Sequence, residues 1–278
     1  MKIEIPEITE VLDNIQDVES KAGLEENEAP KSIQSHRKEQ KDYINENKEL
    51  LDKQKDSELT VIKKLIVEFL MRAVKGERGN KLRKAVNKNL QTKEDLNRDT
   101  YKKIIAEGSY RFGEKIGVEI FEGVINTIHK HYNSNLKKYF SKAENNYITN
   151  FEDDPFLDVK NIGHKVRDLA LSNFNENYIA NDLHVVRVAT RIGLLNYGYR
   201  FASDDNLELG NNASNKKQYR FLHKLFLYFS DETKGKYKLV DIDRSFWHLG
   251  KTLCNNKPKC KECPINNICL TGIQKLKQ

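Results

Sequence analysis

The chain lacks the sequence features of a secreted or membrane-spanning protein. It contains no run of about 18 apolar residues, which a membrane-spanning helix requires. Its first ten residues, MKIEIPEITE, are interspersed with charges and lack the apolar core of a signal peptide. These absences predict a cytoplasmic protein without membrane contact, in a reducing compartment where disulfide bonds are rare.

Signals for β-structure are also scarce. No Asn-Gly turn joins two alternating apolar runs, as it would in a β-hairpin, and no internal repeat is visible. Apolar residues instead recur at helical spacing in three segments, which are Val61 to Val74, Val118 to Ile128 and Phe221 to Phe229. With 278 residues the chain is long enough for one large or two medium domains. The sequence therefore predicts an all-α fold.

The formal net charge of +7 is unevenly distributed along the chain. Residues 1–60 contain 9 Lys or Arg and 16 Asp or Glu, whereas residues 61–278 contain 39 and 25. Because the second part alone has a net charge of +14, it should attract polyanions, with nucleic acid as the first candidate. A lysine-rich surface that only keeps the protein in solution is the alternative interpretation.

All four cysteines lie within the last 25 residues, in a C-x5-C-x2-C-x5-C pattern. They are Cys254, Cys260, Cys263 and Cys269. Such crowding indicates a metal site, since cysteines in cores are usually scattered and disulfides are disfavoured in the expected compartment. Zinc sites usually pair two C-x2-C knuckles across a longer gap, so the pattern favours a [4Fe–4S] cluster and leaves zinc as the alternative.

Three lysines accompany the cysteines, at Lys257, Lys259 and Lys261. They are candidates to contact DNA phosphates. The alternative is that they only offset the negative charge of a cluster bound by thiolates.

Three segments of the basic part carry a family resemblance. They are FWHLGKTLC at 246–254 with the cysteines that follow, VKNIGHK at 159–165, and ANDLHVVRV at 180–188. In this order they resemble the cluster motif, the LPGVGxK turn and the VDTHVxRV segment of helix-hairpin-helix DNA glycosylases related to endonuclease III. The family commonly places six residues between its first two cysteines, where this chain has five. The resemblance covers about residues 61–278 and implies a monomer that binds a [4Fe–4S] cluster and double-stranded DNA with a damaged, mismatched or abasic site.

The hairpin segment also has a physical interpretation. Asp154 followed by Pro155 predicts an N-cap and the start of a short helix that ends near Val159. Asn161 stands where the family uses glycine, and asparagine tolerates a positive φ better than other side chains. A second helix should begin near His164, where Gly163 and the free N–H groups could hold a phosphate. An ordinary turn between two helices is the alternative.

The resemblance assigns roles to two further residues. In the family, the residue matching Lys165 is the nucleophile and the residue matching Asp182 is the essential carboxylate. This implies a base flipped out of the duplex, positive charge on the sugar stabilised by Asp182, and a Schiff base formed by Lys165. β-Elimination would then nick the strand. Without the resemblance, the sequence around Asp182 predicts only that this residue is a helix N-cap.

Three positions are candidates to contact the flipped base or the gap that it leaves. The family fills this gap with a glutamine in its first barrel helix, but the matching stretch here ends Met71-Arg72-Ala73, which makes Arg72 the candidate. Tyr110 and Phe112 are candidates for the base pocket, with packing in the core as the alternative.

We expect two helical lobes. A helical barrel over 61–182 would end with the hairpin, and 183–278 would form the cluster lobe. Residues 1–60 would be a polar extension, which could be a tether, a partly ordered arm or a helix that packs on the cluster lobe. Lys165 and Asp182 would face each other across a DNA-binding cleft. Two alternatives to this bifunctional glycosylase and AP lyase stay open, a non-catalytic DNA-binding or redox-sensing protein on the same scaffold and an unrelated zinc-knuckle protein.

Overall fold

The computed structural model describes residues 6–71, 76–132, 135–194 and 216–276. This part of the chain is all-α, with twelve α-helices and one pair of two-residue strands. The helices are α1 (Ile8–Asn14), α2 (Ile33–Asp52), α3 (Gln54–Leu70), α4 (Gly76–Asn89), α5 (Arg98–Glu107), α6 (Gly113–Tyr132), α7 (Leu136–Thr149), α8 (His164–Leu171), α9 (Leu183–Ile192), α10 (Lys216–Glu232), α11 (Leu239–Lys251) and α12 (Leu270–Leu276). The strands are β1 (Glu19–Ser20) and β2 (Lys31–Ser32), which pair antiparallel with Glu19 opposite Ser32.

The chain divides into two compact units. The central unit comprises residues 42–178, and the terminal unit comprises residues 1–41 and 179–278. The first boundary, at 41/42, lies within α2, and the second lies at 178/179. The sequence predicts these boundaries at 60/61, a position within α3, and at 182/183.

In the central unit, α6 packs against α3, α5, α7 and the 3₁₀ turn Pro155–Asp158. Its buried face consists of the apolar residues whose spacing predicts this helix, including Val118, Phe121, Val124 and Ile128. The helices next to α6 begin with side-chain caps. Asn97 accepts a hydrogen bond from the Thr100 N–H at the start of α5, and Asn135 accepts one from the Lys138 N–H at the start of α7. Helix α8, which carries Lys165, packs against α3.

In the terminal unit, α9 lies against α11 and α12. Helix α9 buries Val185, Val186, Val188, Ala189 and Ile192 on one face. Its approach to α11 is close, because a Cβ added at Gly250 would lie 2.9 Å from the His184 Cβ and 3.1 Å from the His184 carbonyl oxygen. Any side chain at this position would push the two helices apart.

The described N-terminal residues up to 41 also belong to the terminal unit. Ile8, Val11 and Leu12 of α1 join the same apolar cluster as α9 and α11. His36 of α2 stacks on His248 of α11, with ring centroids 3.8 Å apart and planes inclined by 16°. The described residues up to 41 therefore pack within the terminal unit.

No helix among the described residues has the length and apolar character needed to cross a membrane.

Candidate functional site

The four cysteines, none of which forms a disulfide, line a single pocket of the terminal unit. Its volume is about 360 Å³ with the open solvent at its mouth included, and Leu249, Leu253 and Ile265 form apolar parts of its wall. The loops bring the thiols together because the chain turns back after α11, which ends at Lys251, and enters α12 at Leu270. Gly272 permits the return, since a Cβ there would lie 2.3 Å from the Asn266 carbonyl oxygen.

Arg191, near the end of α9, ties the cysteine loop to the helix. Its guanidinium donates to the carbonyl oxygens of Cys254, at 3.0 Å, and Asn255. The same nitrogen lies 3.7 Å from the Cys254 Sγ, within reach of an N–H···S hydrogen bond. The Cys269 thiol in turn donates to the Arg191 carbonyl oxygen at 3.2 Å. One residue therefore anchors both ends of the loop.

Burial raises the pKa of three of the thiols, Cys254, Cys263 and Cys269, and that of Cys263 reaches about 11. Opposing groups favour the thiolates. Arg191 lowers the pKa at Cys254, and hydrogen bonds with the backbone of Ile265 and of Gly272 and Thr271 do so at Cys263 and Cys269. A metal or cluster that binds here must displace protons, after which these donors would stabilise the sulfur charge.

A zinc ion and a [4Fe–4S] cluster would place the four thiolates at different distances from one another. Within the described ranges, no three His, Cys, Asp or Glu side chains are placed to hold one metal ion. A tetrahedral zinc ion would hold thiolates roughly 3.8 Å from one another, given a zinc–sulfur distance of about 2.3 Å. A cubane binds each thiolate to a different iron, so its ligands stand farther apart.

The three lysines of the cysteine loop all reach solvent. Lys259 lies 3.7 Å from Glu262, a weak surface pair. Lys257 and Lys261 form no ion pair with any residue that the structure describes. Both remain available to an anionic partner.

The turn before α8 has the backbone that the sequence predicts. Asn161 has a φ of +71°, and α8 begins at His164 with Gly163 as its N-cap. A Cβ added at Gly163 would meet nothing within 4 Å, so the space over the turn is open. The side chains beside it have protein partners, because the Asn161 amide lies 3.4 Å from Glu119 and the His164 ring packs on Phe151 at 5.9 Å.

A buried polar network supports this turn from below. Asp154 caps the 3₁₀ turn Pro155–Asp158 by accepting from the Phe156 N–H, and it also accepts from the Tyr139 hydroxyl at 2.9 Å. Arg167 of α8 lies 3.1 Å from the same carboxylate and pairs with Asp168. Asp154 therefore joins α7, the 3₁₀ turn and α8. The sequence predicts the cap at Asp154, but it gives no signal for the contacts of Tyr139 and Arg167 with Asp154, because these residues lie 15 and 13 positions away.

The two candidate catalytic residues belong to different units. Lys165 lies in the first turn of α8 in the central unit and is partly exposed. Asp182 is the N-cap of α9 in the terminal unit, and its Oδ1 accepts from the backbone N–H groups of His184 at 2.8 Å and Val185 at 3.1 Å. The capping role that the local sequence predicts for Asp182 is thus confirmed.

Of the residues expected at the flipped base, Tyr110 is 8% exposed and belongs to the core of the central unit. Phe112 packs against that core, with its ring 5.8 Å from that of Tyr110. Both occupy the core positions that the sequence leaves open as the alternative to a base pocket. Arg72 lies outside the described residues.

Searches against protein-family models, curated proteins and solved structures find no match to this chain. The three motifs and the geometry around them are therefore the observations that bear on function.

Two residues of the site have no counterpart in the sequence prediction. Arg191 reaches the cysteine loop 63 residues further along the chain, and Gly272 packs against the backbone of Asn266. Arg191 looks like any surface cation of an amphipathic helix, and Gly272 looks like a helix breaker. Their roles follow from contacts that a linear pattern does not contain.

Proposed function

We propose that the protein is a DNA base-excision glycosylase with an associated AP lyase activity, and that it binds a [4Fe–4S] cluster through its four cysteines. The observation that carries the excision proposal is the turn at 159–163. It combines a positive φ at Asn161, open space over Gly163 and a helix start that has Lys165 in its first turn. Its N–H groups point out of the helix and suit one phosphate oxygen of a DNA strand.

Two features support the cluster. The thiols share one pocket, and the donors around them favour thiolates. The bound cluster would supply structure, because four cysteines leave no iron open to substrate. Its loop would also present Lys257 and Lys261 to the phosphate backbone.

The chemistry would proceed at one extrahelical nucleotide. Asp182 would stabilise the positive charge that develops on the sugar as the N-glycosidic bond breaks and the base departs with the bonding electrons. The Lys165 amine would attack C1′, and the C1′–O4′ bond would then break, with a proton from the nitrogen passing to O4′, so that the opened sugar is held as a Schiff base. Loss of a proton from C2′ would then expel the 3′ phosphate by β-elimination, and hydrolysis would release the enzyme.

Borohydride reduction, which traps a Schiff base as a stable adduct, tests whether Lys165 is the nucleophile. We expect the wild-type protein to form a covalent adduct with a duplex that contains an abasic site, and Lys165→Ala to form none. Lys142→Ala is the matched control, since Lys142 is an exposed lysine of the same unit that lies outside the turn, 3.4 Å from Asp153. An adduct that persists in Lys165→Ala would remove Lys165 from the mechanism.

The capping role of Asp182 favours a second candidate function, a non-catalytic DNA-binding protein on the same scaffold. Asp182→Asn separates the two, because asparagine caps a helix about as well as aspartate but carries no charge. The glycosylase proposal predicts a stable variant that excises bases about 100-fold or more slowly. Unchanged excision would show that the carboxylate is only a cap, and a wild-type protein that binds DNA but excises no lesion from a broad panel would favour the second candidate.

A further inference from the structure

Helix α4 of the central unit presents a row of cations to solvent. Arg78, Lys81, Arg83, Lys84 and Lys88 are all exposed. The opposite face of the helix is apolar, and Leu82, Ala85 and Val86 are buried in the core of the unit. The apolar face therefore packs α4 onto the unit, and the cations of the other face lie in solvent.

Several cations elsewhere on this unit lie beside carboxylates, whereas others, such as Lys115 and Lys130, are single exposed lysines that do not form a row on one helix face. Lys137 is 2.6 Å from Asp52 and Lys142 is 3.4 Å from Asp153. Arg98 and Lys160 pair with acids in the same way. The carboxylates beside these cations largely neutralise their charge.

On α4 the balance is different. Lys88 lies 3.3 Å from Glu107, but Arg78, Arg83 and Lys84 form no ion pair with the described part of the chain. Arg83 donates instead to the amide oxygen of Asn80 at 3.1 Å. Like charges three and four residues apart on a helix, as at Lys81, Lys84 and Lys88, repel one another. An anionic partner would relieve this repulsion.

We propose that the exposed face of α4 binds the sugar-phosphate backbone of nucleic acid, independently of sequence and in addition to the turn at 159–163 and the cysteine loop. From Arg78 to Lys88 the helix rises about 15 Å. A duplex carries one charge per about 1.7 Å of its axis, so several phosphates fall within this length. The proposal rests on the DNA binding in the proposed function but not on the chemistry of Lys165.

Two other anionic partners fit α4 less well. A membrane surface is bound by helices that insert an apolar face, and the apolar face of α4 is in the core. An acidic protein partner needs aromatic or aliphatic anchors, whereas the exposed α4 residues from Arg78 to Lys88 are basic or amide side chains.

Fluorescence anisotropy of the full-length, cluster-loaded protein with an undamaged duplex, at several KCl concentrations, tests the proposal. Arg78→Gln/Arg83→Gln/Lys84→Gln should weaken binding about 10-fold or more at low salt and reduce the slope of log K against log [KCl] by about 2 to 3. Exchange of each residue for the other basic type, Arg78→Lys/Arg83→Lys/Lys84→Arg, should retain the slope.

The matched control is Lys102→Gln/Lys137→Gln/Lys142→Gln, which removes the same charge from lysines that lie near acids. An equal loss in the control, or an unchanged slope in the α4 variant, would overturn the proposal. Binding to anionic lipid vesicles that depends on α4, without α4-dependent DNA binding, would also overturn it. Lys165→Ala should keep the α4-dependent slope, so that failure of the excision mechanism and failure of this surface remain distinguishable.

Discussion

The cysteine pocket of the terminal unit and the turn before α8 in the central unit would hold their ligands by opposite means. In the pocket, the candidate ligands are thiols that are partly or fully buried, and burial works against the charge that they would need. At the turn, the candidate groups are backbone N–H donors, and the space over Gly163 is open. The pocket would therefore depend on a bound metal for its stability, whereas the turn depends on the buried network of Asp154 and Arg167.

The largest effect should come from loss of one cysteine. Cys263→Ser should abolish the visible absorbance and the iron content of the purified protein, because the remaining thiols cannot complete the cluster. The terminal unit should lose stability with it, measured by urea unfolding of the fluorescence of Trp247, the only tryptophan. A variant that keeps full iron content, or a wild-type protein that contains zinc and no iron, would contradict the cluster.

Loss of the carboxylate under the turn should have the next largest effect. Asp154→Ala leaves Arg167, which is 1% exposed, without one of its two carboxylates, and should lower the free energy of unfolding by about 3–5 kcal/mol. Asp153→Ala is the control, since its pair with Lys142 is exposed and worth about 0–1 kcal/mol. Circular dichroism measures the change. A parallel shift of Trp247 fluorescence would show that the two units unfold together.

A pair of glycine variants contrasts the packing of the two regions. Gly250→Ala should cost about 1–3 kcal/mol, because the methyl group meets His184 of α9. Gly163→Ala should cost no more than about 1 kcal/mol, because the added group meets nothing and only the preference for glycine over alanine at an N-cap is lost, but it should weaken binding of duplex DNA if a phosphate sits over the turn. Thermal unfolding and anisotropy measure the two effects. A Gly163→Ala protein with wild-type affinity would mean that DNA does not approach the turn closely.

The smallest expected effect is the loss of stability of the terminal unit for each pH unit of acidification. Burial, with the neighbouring charges of His36 and Arg244, lowers the pKa of His248 to about 2. The unfolded chain takes up this proton near pH 6.5, so the stability contributed by neutral His248 is present above that pH and is lost as the pH falls. We expect a loss of about 1.4 kcal/mol per pH unit below about 6.5.

Urea unfolding followed at Trp247 measures this slope. His248→Gln should flatten it, whereas His131→Gln, which removes an exposed imidazole of the central unit, should not. A slope that His248→Gln leaves intact would assign the acid sensitivity to other groups.

How much of each region could be predicted follows from how local its contacts are. Helices α6, α9 and α10, the caps at Asp154 and Asp182 and the positive φ at Asn161 all arise from neighbours within a few residues. Tyr139, Arg167 and Arg191 could not be assigned, because the contacts that define their roles, to Asp154 and to the cysteine loop, span between 13 and 64 residues. The sequence also could not separate a base pocket from a core at Tyr110 and Phe112, because an aromatic side chain before a helix suits a core as well as a pocket.

The sequence by itself determined the all-α fold, the capped helix starts and the crowding of four thiols within 16 residues, because periodicity, capping and ligand spacing act over short separations. The tertiary structure alone decided that the N-terminal segment joins the terminal unit through His36 and His248, that Asp154 and Arg167 form one buried network, and that Arg191 reaches the cysteine loop. These are contacts between groups far apart in the chain. They exist only after the helices have packed, since packing excludes the water that would otherwise bind the same polar groups.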